Sequence, residues 1–185
     1  MKQYIKKFIF PFIKEMLPVI AGILIALFID NWNENRKDNQ YINQAFLSIH
    51  SELDETKKNI KEIIPLQELL IDSLDFYVDD KKIDIADILL KKSKGIHIAT
   101  IKTNAWKTLS NSKIELIDYK KVTTLTDIEE QKDILKTKSD YLGQFVYSNL
   151  NETDKNKKEV LKIILLDIIQ TEKTTLSYIE YFEKK

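Results

Sequence analysis

From Met16 to Ile29 the chain reads MLPVIAGILIALFI, with no charged side chain and no polar face from Val19 onward. A helix that is apolar all round must be enclosed by protein or by lipid, and this run therefore constrains the rest of the fold. Met16 to Ile29 spans about 21 Å at 1.5 Å per residue, short of a ~30 Å hydrocarbon core. Phe12 to Ile29 extends it to about 27 Å, and Trp32 lies one turn further, where an indole prefers the headgroup layer. Lys14 can reach outward to water from the other end, so Lys14 and Trp32 are the expected interface anchors. Leu17, Val19, Ile20, Ile23, Leu24, Ile25, Leu27, Phe28 and Ile29 contribute roughly −3 to −5 kcal/mol on a membrane-insertion scale. Pro18 and Gly22 weaken a helix in water but are common in spanning helices.

Other readings fit less well. A secretory signal with Lys2, Lys6 and Lys7 as its basic end would need small residues before its cleavage site, and Leu27-Phe28-Ile29-Asp30-Asn31-Trp32 has none. A helix lying in the interface needs a polar face. A buried core helix of this length would have to be surrounded completely. The expectation is an uncleaved signal-anchor, with residues 1–11 a basic N-terminus, 12–32 a single transmembrane helix and 33–185 a helical domain. Lys2, Lys6, Lys7 and Lys14 precede the span, whereas Arg36 and Lys37 follow it together with three acids. That bias places the N-terminus in the cytoplasm and the remainder outside it, in the periplasm of a bacterium with the helix in the inner membrane.

The body has a different rhythm. Ile42, Phe46, Ile49, Leu53, Thr56, Ile60 and Ile63 follow steps of four and three, with one polar lapse at Thr56. Pro65 predicts a kink or a new start, and Leu66, Leu69, Leu70, Leu74 and Tyr77 continue a helical face. Ile85 to Leu90 fits a short helix, with Gly95 suited to its C-terminal cap. Ile96 and Ile98 alternate with polar residues and predict an extended segment. Thr103-Asn104 can cap a short helix through Leu109, and Asn111-Ser112 can turn the chain. A long pattern then passes through Ile117, Leu125, Ile128, Leu135, Leu142, Phe145 and Leu150. Asn151 to Asp154 interrupts it, and a last helix uses Leu161, Ile164, Leu165, Ile168, Leu176, Ile179 and Phe182. With only 3 Gly and 3 Pro in 185 residues, a β fold built on tight turns is disfavoured. The predicted fold is all-α: an N-terminal transmembrane helix followed by an antiparallel bundle of long coiled-coil-like helices joined by short turns.

Gly22-Ile23-Leu24-Ile25-Ala26-Leu27, then Ile29, then Asn31-Trp32-Asn33-Glu34-Asn35-Arg36-Lys37 resembles a widespread family of bacterial single-pass membrane proteins defined only as a domain of unknown function. Trp106, Leu109, Ser112 and Glu115-Leu116-Ile117 resemble that family's tryptophan-containing turn. Phe28 and Asp30 stand where the family carries more polar and neutral residues, respectively. The resemblance implies an N-terminal anchor with a helical body, and no reaction or ligand.

Residues that could carry chemistry are sparse. Cys is absent, which removes disulfides, thiolate metal sites and cysteine nucleophiles. Lys+Arg and Asp+Glu both number 29 and are interspersed, so no basic stripe points to nucleic acid. His50 and Asp54 share a helix face and form at most half a metal site, and His97 stands apart. Asp127-Ile128-Glu129-Glu130 reads as the wet face of a helix. No phosphate-loop, dinucleotide or Gly-x-Ser-x-Gly pattern occurs, so neither a cofactor nor an enzymatic activity is expected. Tyr77, Tyr119, Tyr141, Tyr147, Tyr178 and Tyr181 read as rings packed in the bundle with wet hydroxyls. Gly22 and Ala26, one turn apart, would let two helices approach closely in lipid. The expected partners are the bilayer and either a second copy or another envelope protein. The leading expectation is a membrane-anchored interaction or scaffold protein, the alternative a ligand-sensing bundle that signals through a partner membrane protein.

Overall fold

Apolar residues recurring every three or four positions select helices, and the computed structural model is all-helical, with no strand among the described residues. It describes residues 2–184, with side chains from residue 14 onward. The side chains of Lys2, Lys6, Lys7 and the apolar stretch 8–13 lie outside that range. The chain divides into two compact units, Met1–Gln44 and Ala45–Lys185. Helix α1 (Lys2–Phe76) contributes to both, followed by α2 (Ile85–Asp87), a π-helical turn (Ile88–Lys92), α3 (Asn104–Ser110), a 3₁₀ turn (Ile114–Leu116), α4 (Tyr119–Asn149) and α5 (Lys155–Glu183).

The described part of the first unit is helical throughout, and its side chains from Met16 to Ile29 are almost all exposed. The second unit holds the core. Ile49, Leu53, Thr56 and Ile60 of α1 are buried, as the four-and-three spacing predicts. They share the buried interior with Leu125, Ile128, Leu135 and Leu142 of α4, and with Leu161, Leu165, Ile168, Ile179 and Phe182 of α5. Phe46 stacks on Phe182, Asp75 pairs with Lys162 at 2.6 Å and Asp79 with Lys155 at 2.9 Å, so α5 runs antiparallel to α1. Lys138 pairs with Asp167 at 2.8 Å and Lys157 lies over the Phe145 ring, which makes α4 and α5 antiparallel as well.

Helix ends follow local chemistry. Asp118 accepts the amides of Lys120 and Lys121 at the start of α4, and Asp154 that of Lys157 at the start of α5. The turn that follows α1 is held by Lys158, fully buried, whose Nζ donates to Tyr77 O at 2.8 Å and Asp80 O at 2.7 Å.

Three expectations are corrected. Pro65 neither ends α1 nor starts a new helix; it is exposed, so the carbonyl of Lys61, which loses its amide donor, can bind water. Residues 77–118, between α1 and α4, hold the short helical pieces and the extended segment that the sequence predicts. Gly95 (φ +89°) does not cap a helix: Ser93 closes the π-helical turn, and Gly95 redirects the chain into the extended segment 96–103. Among the tyrosines, Tyr119 and Tyr147 are each 81% exposed, because the seven-residue register of α4 turns them away from the core.

Candidate functional site

Two features rise above generic packing. One is the apolar stretch of the first unit, and the other a polar cluster inside the second.

In the first unit Leu17, Leu24 and Phe28 are more than half exposed, as are Val19, Ile23, Ile25 and Leu27. Lys14–Phe76 contains a window long and apolar enough to cross a membrane, none of it buried within the protein. Gly22 and Ala26 lie on this exposed stretch, and a Cβ added at Gly22 would meet nothing within 4 Å. Lys14 and Trp32 are exposed at its two ends.

In the second unit, residues 94–103 lie extended along α1 with no neighbouring strand. Their backbone groups still need partners, and side chains supply them. Gln67 Nε2 donates to His97 O at 3.0 Å, and Ala99 N–H donates to Glu172 Oε1 at 2.9 Å. Thr100 N–H donates to Asn59 Oδ1 at 2.7 Å, Lys102 N–H to Thr56 Oγ1 at 3.0 Å and Ala105 N–H to Glu52 Oε2 at 3.0 Å. These bonds explain the polar lapse at Thr56, whose buried hydroxyl donates to Glu52 O and accepts from this strap. The strap's outer side is held by the Lys102–Glu55 ion pair, and further on Lys132 Nζ donates to Thr103 Oγ1 at 3.0 Å.

The cluster centres on Glu172, fully buried, and Gln67, 1% exposed. Gln67 Nε2 donates to Glu172 Oε1 at 3.0 Å. Burial pushes the Glu172 carboxyl above its ordinary value, against the opposing pull of the Ala99 amide and the Gln67 hydrogen bond. At the surface the effect has the opposite origin: hydrogen bonds to Glu183 and Glu55 raise the ammonium groups of Lys57 and Lys102, respectively.

Neither Gln67 nor Glu172 stands out by motif, yet the register of the sequence carries the signal. Continuing the four-and-three spacing from Ile49 through Ile60 and Ile63 lands on Gln67, then Leu70 and Leu74. The register of α5 runs Leu161, Leu165, Ile168, Glu172, Thr175, Ile179 and Phe182. A carboxyl and an amide at two core positions are the kind of departure that marks a specific interaction.

The other candidates do not assemble. His50 packs against the Phe182 ring, centroids 5.3 Å apart, while Asp54 turns to Lys57 at 3.2 Å. His97 Nε2 meets Lys94 O at 2.8 Å, within its own loop. Among the described residues no three His, Asp or Glu side chains converge as a metal site would require. In the tryptophan-containing turn, Trp106 and Leu109 of α3 are buried, with Ser112 donating to Thr108 O and Leu109 O, whereas Glu115 and Leu116 are exposed. Of the acidic run, Glu130 is exposed, Asp127 and Glu129 are half-buried and Ile128 is buried, so the wet-face reading holds in full only at Glu130. No protein-family model, curated protein or solved structure matches this chain.

Proposed function

We propose that this chain is a membrane-anchored helical module of the bacterial cell envelope that acts by interaction or scaffolding rather than by catalysis. The observation that carries this reading is the apolar stretch Met16–Ile29, exposed at every residue but Ala21, with Lys14 and Trp32 at its ends. Exposed in water, such a surface would be an aggregation hazard; in hydrocarbon it is satisfied without any protein partner. The excess of lysines before the span favours a cytoplasmic N-terminus and a periplasmic body in the inner membrane. The resemblance of GILIAL-x-I-x-NWNENRK to single-pass bacterial proteins points the same way. Anchoring confines the bundle to a bilayer surface and so raises its effective concentration toward other envelope components. The Gly22–Ala26 face offers a close-approach seam for a second copy or a partner helix.

Fractionation tests the anchor. The intact chain should sediment with membranes from broken cells and be released by mild detergent but not by high salt; recovery in the detergent-free supernatant overturns the reading. Purification in that detergent should then yield a stoichiometric partner or a homo-oligomer, and a clean monomer counts against scaffolding. A cysteine introduced at Asn151, exposed in the α4–α5 turn, is the only thiol in the chain and reports the side of the membrane by its labelling with an impermeant reagent.

A further inference from the structure

We propose that the bundle interior is a binding site for one proton, shared between Glu172 and Gln67, and that this proton fastens the extended strap 94–103 to α1 and α5. The pair lies wholly within the unit Ala45–Lys185, so the inference stands whether or not the anchor reading holds.

The hydrogen-bond accounting is unbalanced in a specific way. Gln67 Nε2 has two hydrogens, and both are used, one on His97 O and one on Glu172 Oε1. Glu172 Oε1 also accepts the Ala99 amide. What remains is Gln67 Oε1 and Glu172 Oε2, two buried acceptors on adjoining side chains, neither with a donor. Buried acceptors are rarely left unpaired. One proton on Oε2 satisfies both together. The carboxylic O–H then donates to Gln67 Oε1 while Gln67 Nε2 keeps donating to Glu172 Oε1, which closes a cyclic acid–amide pair. The Nε2···Oε1 bond at 3.0 Å already supplies one side of that ring.

The surroundings favour the neutral acid. Charged groups occur on every neighbouring element but are engaged elsewhere. Glu68 of α1 pairs with Lys173 of α5 at 3.7 Å at the surface. Lys138 of α4 donates to Thr171 and Asp167, and Lys132 to Thr103. On the strap, Lys94 is exposed and the His97 ring meets the Lys94 carbonyl. None of these supplies a counter-charge to Glu172. Burial disfavours the carboxylate, and a proton is the charge-balancing ligand that fits the space.

The strap is coupled to this proton because Ala99 hangs on Glu172 and His97 on Gln67. When Glu172 ionises, its Oε2 and Gln67 Oε1 are both left as buried acceptors without a hydrogen. Admitting water along the strap relieves both. A carboxyl with its folded value raised above the ordinary 4.5 favours the closed fold most below 4.5 and loses that advantage as pH rises through the folded value. The strap's opening equilibrium should thus increase with pH across that window, about tenfold for every pH unit separating the two values.

The experiment uses the full chain in detergent micelles, labelled with ¹³C at glutamate side chains and ¹⁵N at amides. The Glu172 Cδ resonance should remain at the protonated position after the exposed glutamates have ionised. Exchange of the Ala99 amide, corrected for intrinsic rates, should accelerate as pH rises above the ordinary 4.5 and level off where Glu172 finally titrates. Glu172→Gln retains the ring, since the new amide donates to Gln67 Oε1, so its strap exchange should be slow and independent of pH. Titration of Glu172 together with the exposed glutamates overturns the proposal and assigns the two acceptors to a bound water. Failure of the E172Q chain to fold shows that the carboxylate itself is required and also overturns it. A late titration with unchanged Ala99 exchange overturns the coupling to the strap.

Discussion

Met16–Ile29 and α5 are both rich in Ile and Leu, yet they solve opposite problems. In α5 the buried apolar residues share one face: Leu161, Leu165, Ile168 and Ile179 are fully buried, while Ile163 and Leu166 are exposed with Glu159, Gln170 and Glu180 on the other side. In Met16–Ile29 the apolar residues occupy every side, and all but Ala21 are exposed. A helix with one wet face suits a protein–water boundary, whereas a helix with no wet face is matched to a uniform apolar medium. The contrast shows that hydrophobic content alone says little, and that its angular distribution names the solvent.

The largest expected break of that contrast comes from charging the apolar stretch. Leu24→Arg with Ile25→Asp introduces two residues that each cost about 2.5 to 3.5 kcal/mol at the centre of a span, enough to cancel the insertion energy. The double variant should move from the membrane pellet to the soluble or aggregated fraction, whereas Leu166→Arg, on the wet face of α5, should leave fractionation unchanged. Next in size are truncations within α5. Leu165→Ala should destabilise the body by about 2–5 kcal/mol, against little for Leu166→Ala, which is 46% exposed. Denaturant unfolding followed by helical circular dichroism in detergent would measure both, and equal losses would contradict the assigned faces.

A smaller effect is expected at Lys158. Replacement by Met keeps most of its packing but leaves Tyr77 O and Asp80 O without their donor, at about 1–3 kcal/mol. At the start of the same helix, Asp154→Ala removes an N-cap and should cost about 1 kcal/mol. Least of all, Asp79→Asn breaks the exposed pair with Lys155 and should not move the unfolding midpoint measurably.

Much of this architecture is legible in the amino-acid order. The four-and-three spacing locates the core faces of α1, α4 and α5, and Asp154 and the extended Ile96–Ile98 segment behave as their local chemistry requires. Pro65 departs from expectation because a proline rule drawn from an isolated helix ignores position: on the wet side of a helix held by tertiary packing, one lost hydrogen bond is tolerable. Tyr119 and Tyr147 depart from it because a ring's size says nothing of the register that turns it outward.

The strap and the buried pair belong to another level. Periodicity fixes which side of each helix is dry, because every residue's direction is set by its distance along the same chain. It does not fix which residues of two different helices meet. That Gln67 should find Glu172, and that an extended segment should hang its backbone on Thr56, Asn59 and Glu172, depends on how α1 and α5 slide past one another as their side chains pack. The amino-acid order determined the helices, their apolar faces and the uniformly apolar run Met16–Ile29. Only the tertiary structure decided where a carboxyl would lose its water, since desolvation is a property of what surrounds a group and not of its place in the chain.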